Sequence, residues 1–159
     1  MKVSNLRFNP IYQVMIDELY SREILRRTTQ LMHVGRLTAP QAQADRVAKL
    51  CGSTIHVELN MDGDIVCAFA QEVQACALGQ ASAAILSQSI VGAKAGDVIK
   101  ARDGLRGLLK GEDADFPERF KDFAILASVR DYPARHASTL LALEATTEAI
   151  SALQQSETH

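Results

Sequence analysis

The clearest pattern in the chain is a strict alternation of apolar and polar residues over positions 54–60. The apolar members are Ile55, Val57 and Leu59. Alternation with a period of two predicts a β-strand with one buried face. Asp62-Gly63 follows and favours a tight hairpin turn, because glycine readily supplies the positive φ that such turns need. The run from Ile65 to about Val73 is therefore predicted to return as an antiparallel partner strand.

Other segments predict one more strand and several helices. Ala42 to Leu50 is predicted as a first strand, although Val47 is its only β-branched residue. Apolar residues spaced three or four apart predict helices elsewhere. The predicted helices run from Pro10 to about Gln30 with a break near Ser21, from Cys76 to near Gly92, from about Ala95 to Gly111, briefly from Pro117, and from Pro133 onwards. Together these elements predict an α+β fold, with a three-stranded antiparallel sheet packed against several helices.

Composition favours one domain. The 159 residues, 47% of them hydrophobic, are enough to bury a single core, and no tract is long enough for a second one. We expect one domain over residues 1–159, with an N-terminal extension over about 1–15 and a flexible tail over about 155–159.

Charge and hydropathy exclude several function classes. The net charge of −2 and the scattered Lys and Arg residues argue against nucleic acid as a partner. No window approaches the roughly 18 apolar residues of a membrane span, and the first residues lack an apolar signal core. A cytoplasmic location is expected. Three cysteines without an export signal favour free thiols or metal ligands over a disulfide framework.

Three residues at predicted element boundaries are candidates for chemistry. Cys51 follows the first strand and precedes Gly52, and Cys76 begins a helix, whose N-terminus favours a thiolate. Cys76 is therefore expected to be the more reactive thiol. His136 lies in the first turn of the last helix, beside Arg135, whose charge would favour a nearby thiolate. Thiolate and imidazole are ligands of zinc and of iron–sulfur centres.

Each candidate also has a purely structural interpretation. A free cysteine often acts as a small buried hydrophobe, and Cys67, within an ordinary predicted strand, fits that interpretation well. A single histidine such as His136 is often a surface or capping residue. His33 and His56 favour the same interpretation, since His56 lies on the polar face of its strand.

Four segments carry a family resemblance. They are Gly35-Arg36-Leu37-Thr38-Ala39-Pro40, Asp62-Gly63-Asp64-Ile65-Val66, Cys76 with its Ala- and Ser-rich helix, and Pro133-Ala134-Arg135. Their order and separation resemble the U-type iron–sulfur cluster assembly proteins, which include the NifU N-terminal domain, IscU and SufU. The likeness covers about Tyr20 to Ile150. The long stretch from Asp97 to Asp131 resembles the insertion of the SufU-like branch.

The resemblance implies one metal site per chain, holding zinc or an iron–sulfur cluster. Family members use a Cys-Gly-Asp motif, a cysteine at a helix start, and a cysteine in the first turn of the last helix. Cys51 and Cys76 match the first two. The resemblance places Ser53 where the family has the aspartate, and Ala137 where it has the third cysteine. His136 matches a histidine that precedes that cysteine in one branch of the family.

These departures change the expected ligands. The implied set is Cys51, Cys76 and His136, with an oxygen from Ser53 or water as the fourth ligand. Losing an aspartate and a thiolate removes two negative charges, so cluster binding should weaken most. Two cysteines and one histidine match a three-ligand zinc site with an open position.

The resemblance leaves three functions open. The first is a divergent scaffold or accessory protein of iron–sulfur assembly, a carrier rather than a catalyst. The second is a zinc-dependent sulfurtransferase, in which the thiolate of Cys76 or Cys51 takes sulfur from a cysteine desulfurase persulfide and Arg135 stabilises the thiolate. The third is a metal-free interaction module that kept the fold. A cysteine desulfurase and other assembly proteins are the implied partners, and a homo-oligomer is left open.

Overall fold

The computed structural model describes residues 20–157 and contains the predicted sheet. Its strands are β1, Ala42–Ala48; β2, Ser53–Asp62; and β3, Ile65–Gln74. They pair in the order β1-β2-β3, and both pairings are antiparallel. The predicted three-stranded antiparallel sheet is therefore confirmed.

The β2–β3 hairpin follows the alternation seen in the sequence. Ile55, Val57 and Leu59 are at most 3% exposed, which confirms the predicted buried face. Asp62 pairs with Ile65, so the loop proper is Gly63-Asp64, and Gly63 has the positive φ of 62° that the turn requires. A register shift at 60/61 leaves Cys67 without a partner in the ladder, as in a β-bulge.

Four α-helices and a series of 3₁₀ turns complete the described fold. The α-helices are α1, Arg22–Arg27; α2, Ala77–Ser89; α3, Ala95–Leu109; and α4, His136–Glu157. The 3₁₀ turns span Glu118–Asp131, interrupted at Phe120, and Pro133–Arg135. The segment after Pro117 is thus longer than the short helix predicted there. The tail was predicted from about residue 155, but α4 continues to Glu157.

The helix predicted from Pro10 to about Gln30 falls only partly within the described residues. Ser21, the predicted break, caps α1, and its hydroxyl accepts a hydrogen bond from the backbone N–H of Ile24 at 3.3 Å. The helix predicted from Pro10 and the extension over about 1–15 fall on positions before residue 20, outside the described residues.

The long helix α4 organises the core. It packs against β1, β2, α2 and α3 at once, and its apolar residues Leu143 and Ile150 are fully buried. Phe120 and Phe123 fill the space beneath the 3₁₀ turns, with ring centroids 6.2 Å apart. Because α4 begins beside the end of the sheet, its first turn is brought close to the start of β2.

The Gly35–Pro40 loop is tied to the sheet. The backbone N–H of Gly35 donates to the carbonyl oxygen of Gln71 at 2.9 Å, and the buried carboxylate of Glu58 accepts a hydrogen bond from the Leu37 N–H at 2.9 Å. His56 lies between Asp45 and Glu58, at 2.8 and 3.0 Å. Its side chain is only 11% exposed, so His56, predicted to be a surface residue, is a largely buried link in a charged cluster.

No helix among residues 20–157 is long and apolar enough to cross a membrane.

Candidate functional site

Three elements meet at one end of the sheet and place the two candidate cysteines together. Cys51 lies in the β1–β2 turn, which Gly52 closes with a φ of 73°. Ser53 opens β2, and Cys76 is the N-cap of α2, directly beyond the end of β3. The first turn of α4 contributes Ser138. Because β2 begins where β3 ends, the hairpin brings residues far apart in sequence to the same edge.

The two thiols converge on a pair of buried hydroxyls. Cys51 Sγ lies 3.0 Å from Ser53 Oγ, and Cys76 Sγ lies 3.0 Å from Ser138 Oγ. The hydroxyl oxygens of Ser53 and Ser138 are 3.4 Å apart. The backbone N–H of Cys76 also donates to Ser53 Oγ at 3.4 Å. The candidate site is therefore a compact group of two thiols and two hydroxyls, called the thiol–hydroxyl cluster below.

Ser138 was missed in the sequence, where the resemblance pointed to its neighbour Ala137. Ala137 is exposed, whereas Ser138 is 1% exposed and contacts Cys76. The structure therefore adds Ser138, one position after Ala137, to the residues of the candidate site.

A close helix contact positions Ser138. A Cβ on Gly79 of α2 would lie 2.9 Å from Ser138 Oγ and 3.3 Å from its carbonyl oxygen. Only glycine leaves room for α4 to approach α2 this closely. Gly79 is therefore a positioning residue for the thiol–hydroxyl cluster.

His136 has a different environment from the one predicted. Its Nε2 lies 3.0 Å from the carbonyl oxygens of both Val129 and Arg130, to which an N–H at this atom donates. The structure does not bring the ring together with the two cysteines, since residues 20–157 contain no group of three or more His, Cys, Asp or Glu side chains able to hold a metal. A ligand role for His136 stays a prediction that requires the ring to leave these carbonyls.

The surroundings of Cys51 favour its thiolate. Hydrogen bonds from the hydroxyl and the backbone N–H of Ser53 lower the pKa of the Cys51 thiol, and these outweigh the opposing effect of burial. The Ser138 hydroxyl and the positive charge of Arg135 lower this pKa further. Cys51 is also exposed, whereas Cys76 is half-buried. The geometry therefore favours Cys51 as the first thiol to react, where the sequence pointed to Cys76.

Cys67 lies apart from the site. It is in β3 near the Gly63-Asp64 turn, at the opposite end of the hairpin from Cys51, and it is exposed. The interpretation of Cys67 as a small buried hydrophobe is therefore wrong, because the register shift turns its side chain outwards. It serves as a matched control for the two cysteines of the cluster.

The side-chain atoms of the thiol–hydroxyl cluster determine which metal ion it can bind. Structural zinc takes four ligands and catalytic zinc three from the protein, almost always sulfur, nitrogen or carboxylate oxygen. The described site offers two thiols and two neutral hydroxyls, without an imidazole or carboxylate in the group. Those residues do not fit a resident zinc ion. Two thiolates do suit a soft, loosely held cargo such as iron with sulfide.

Three known proteins are similar to this chain over most of its length. A solved structure of a nitrogen-fixing NifU-like protein (N-terminal) from Brucella abortus is 41% identical, with a TM-score of 0.86, and the match covers 89% of this chain and 98% of that one. The iron–sulfur cluster assembly scaffold protein IscU of Thermotoga maritima is 24% identical over 83% of this chain and 92% of its own length. The zinc-dependent sulfurtransferase SufU of Bacillus subtilis is 25% identical over 78% and 84%.

The fold is that of the U-type iron–sulfur cluster assembly scaffold family. More specifically, the family model for the NifU-like N terminal domain matches residues 19–155, and the chain belongs to that family. The resemblance inferred from the four sequence segments is thereby confirmed.

Proposed function

We propose that this protein is a two-thiol scaffold of iron–sulfur cluster assembly, which receives sulfur and iron as cargo at Cys51 and Cys76. The observation that carries the proposal is the convergence of these two thiols, from different elements, on the same pair of hydroxyls. Two thiolates held close together are a natural pair of ligands for iron.

The donor set suits brief retention of cargo. Ser53 and Ser138 are neutral, whereas a carboxylate and a thiolate at these positions would each add a negative charge to offset that of iron. A cluster held by two thiolates of one chain leaves iron coordination positions open. These positions are free for a small thiol, an acceptor protein or a second copy of the chain, and a cluster so held is easily passed on.

Cys51 is the proposed entry point for sulfur. The thiolate of Cys51 attacks the outer sulfur of a persulfide on a cysteine desulfurase, the desulfurase thiolate leaves, and a persulfide remains on Cys51. Exposure of Cys51 gives a partner access, and the Arg135 charge stabilises the anion before and after transfer. The proposal needs neither zinc nor His136.

Anaerobic reconstitution with iron and sulfide tests the scaffold role. Wild-type protein should develop a visible absorption band that fades on gel filtration with a chelator. Cys51→Ser and Cys76→Ser should abolish the band, whereas the matched control Cys67→Ser should leave it unchanged. Ser138→Cys should slow its loss, because a third thiolate then faces the cargo.

Two results would overturn the proposal. One is reconstitution of both Cys51→Ser and Cys76→Ser to the wild-type level, since the cluster would then not be the site. The other is the absence of any band in wild type and in Ser138→Cys, together with no stimulation of sulfide release by a cysteine desulfurase. That second result would favour a metal-free interaction module.

A further inference from the structure

We infer that Cys51 and Cys76 act in sequence as a receiving thiol and a releasing thiol. Cys76 attacks the persulfide formed on Cys51, frees hydrosulfide, and closes a Cys51–Cys76 disulfide. This inference rests on the proposed receipt of sulfur and deepens it, because it names the step that converts sulfane sulfur into the sulfide that a cluster contains.

The geometry places the second thiol at the same pair of hydroxyls as the first. Each sulfur lies 3.0 Å from one hydroxyl, and those two hydroxyls lie 3.4 Å from each other. The Ser138 hydroxyl, which contacts Cys76, also acts on the Cys51 thiol. Both sulfurs therefore face one small space that is lined by neutral hydroxyls.

Only one group at the cluster can carry out the second step. Ser53 and Ser138 present hydroxyls, which are not thiol nucleophiles, and Cys67 lies at the far end of the hairpin. Cys76 is thus the one other thiol of the thiol–hydroxyl cluster. Had position 138 been a cysteine, two thiols would compete for the persulfide. The serine leaves a single route.

The two thiols differ in access, and this sets their order. Cys51 is exposed in a turn, and a Cβ on the adjacent Gly52 would find no atom within 4 Å, so the turn is open to a donor. Cys76 is half-buried at the start of α2, behind Ser138. An external persulfide therefore reaches Cys51 first, and Cys76 meets the sulfur only after it has arrived.

The chemistry balances in two steps. In the first, a donor persulfide passes its outer sulfur to the Cys51 thiolate and leaves as a thiolate. In the second, the Cys76 thiolate, whose proton has gone to solvent, attacks Cys51 Sγ, so that the Cys51–Cys76 bond forms and the bond to the outer sulfur breaks. The outer sulfur leaves as hydrosulfide with two electrons, and the two cysteines are oxidised by two. A low-molecular-weight dithiol restores the pair.

Glutathione persulfide is the probe for this relay. Reduced, metal-free protein is mixed with it anaerobically, sulfide is trapped, and the protein is alkylated and mapped by mass spectrometry. Wild type should lose two thiols, gain the Cys51–Cys76 disulfide, and release one hydrosulfide per disulfide above the protein-free background. Cys76→Ser should retain one additional sulfur on Cys51. Cys67→Ser should behave as wild type, and thermal unfolding checks that each variant is folded.

The outcomes separate this inference from the proposed function. Wild type that keeps its Cys51 persulfide for as long as Cys76→Ser overturns the relay and leaves the receipt of sulfur standing. A disulfide that appears without matching hydrosulfide, or that involves Cys67, also overturns it. If no variant carries sulfur on Cys51, the receipt of sulfur itself fails. Reconstitution with iron and sulfide tests the scaffold role separately, because it requires no persulfide.

Discussion

Ser53 is the residue that links the candidate site. Its hydroxyl contacts the thiol of Cys51, the hydroxyl of Ser138 and the backbone N–H of Cys76, so one oxygen joins the β1–β2 turn, α4 and α2. From the sequence, Ser53 was predicted to replace a carboxylate and to supply, with water as the alternative, the fourth ligand of a metal site. In the structure it is a buried hydroxyl that contacts the Cys51 sulfur directly and reaches the Cys76 sulfur through Ser138.

Ser53→Ala tests its effect on Cys51. The substitution removes the hydroxyl whose hydrogen bond contributes most to lowering the pKa of the Cys51 thiol, so this pKa should rise. At neutral pH a smaller fraction of Cys51 is then thiolate, and its alkylation by iodoacetamide should slow and require higher pH. Peptide mapping after timed alkylation gives the rate for Cys51 alone. Ser156→Ala, an exposed serine of α4, is the control and should leave the pH profile unchanged.

His136→Ala distinguishes a structural histidine from a ligand. The ring donates to the carbonyls that end the 3₁₀ turns, so its loss should destabilise the fold by about 1–2 kcal/mol in urea unfolding. Iron retained after reconstitution should match wild type. Loss of bound iron with unchanged stability would contradict this expectation and would restore His136 as a ligand.

At the scale of elements, the contact between α2 and α4 fixes the cluster. Gly79→Ala would place a Cβ 2.7 Å from the Ala75 Cβ and 2.9 Å from Ser138 Oγ, so the helices must separate. Overpacking of this kind costs about 1–3 kcal/mol, and it should also move Ser138 away from Cys76 and speed the loss of reconstituted iron. Gly96→Ala in α3 is the matched control, since a Cβ there meets nothing within 4 Å. It should be neutral or slightly stabilising. Equal destabilisation by both variants would refute the packing argument.

The charged cluster beneath the Gly35–Pro40 loop should make stability depend on pH. Burial lowers the pKa of His56, but hydrogen bonds to Glu58 and Asp45 outweigh it and raise this pKa above 6.5. Burial raises the pKa of Glu58, but the His56 and Leu37 hydrogen bonds outweigh it and keep this pKa below 4.5. Stabilisation through His56 is complete below pH 6.5 and is lost as pH rises through its raised pKa. Stabilisation through Glu58 is complete above pH 4.5 and is lost as pH falls through its lowered pKa.

His56→Gln, Glu58→Gln and the double variant measure this coupling. The free energy of unfolding should differ most between wild type and His56→Gln at pH 4.5–6.5, with a smaller difference at alkaline pH. A double-mutant cycle, measured once at pH 6 and once at pH 9, isolates the interaction between His56 and Glu58. A coupling energy that is the same at pH 6 and at pH 9 would show that the charge of His56 is not involved.

For the whole molecule, the site depends on a single core. Phe123 is fully buried between Phe116 and Phe120, and the segment that carries it leads directly into the start of α4. Phe123→Ala should cost about 3–5 kcal/mol, which is a large part of the 5–15 kcal/mol typical of a domain. The midpoint of urea unfolding should fall and the slope should stay constant. Val34→Ala, at a side chain 66% exposed, is the control and should shift the midpoint little.

Predictability from the sequence varied with the range of the interactions involved. The β2–β3 hairpin was predicted nearly to the residue, because alternation and a glycine turn are local properties. The start of α2 at Cys76 and of α4 after Pro133 were predicted for the same reason. The boundary of the C-terminal tail was not, since its polar composition concealed the last turn of α4.

The sequence by itself determined the α+β fold, its family, and the two cysteines at element boundaries, because these features follow from contiguous patterns and from the order of motifs. Only the tertiary structure decided which side chains meet. Because α4 packs closely against Gly79, Ser138 rather than Ala137 contacts Cys76. The ring of His136 bonds to carbonyl oxygens of the 3₁₀ turns and does not join the two cysteines. Ser138 and Arg135, which are far from Cys51 in sequence, add to the local hydrogen bonds from Ser53 in favouring the thiolate of Cys51. Contacts of this kind depend on how distant segments fit together, and no local pattern encodes them.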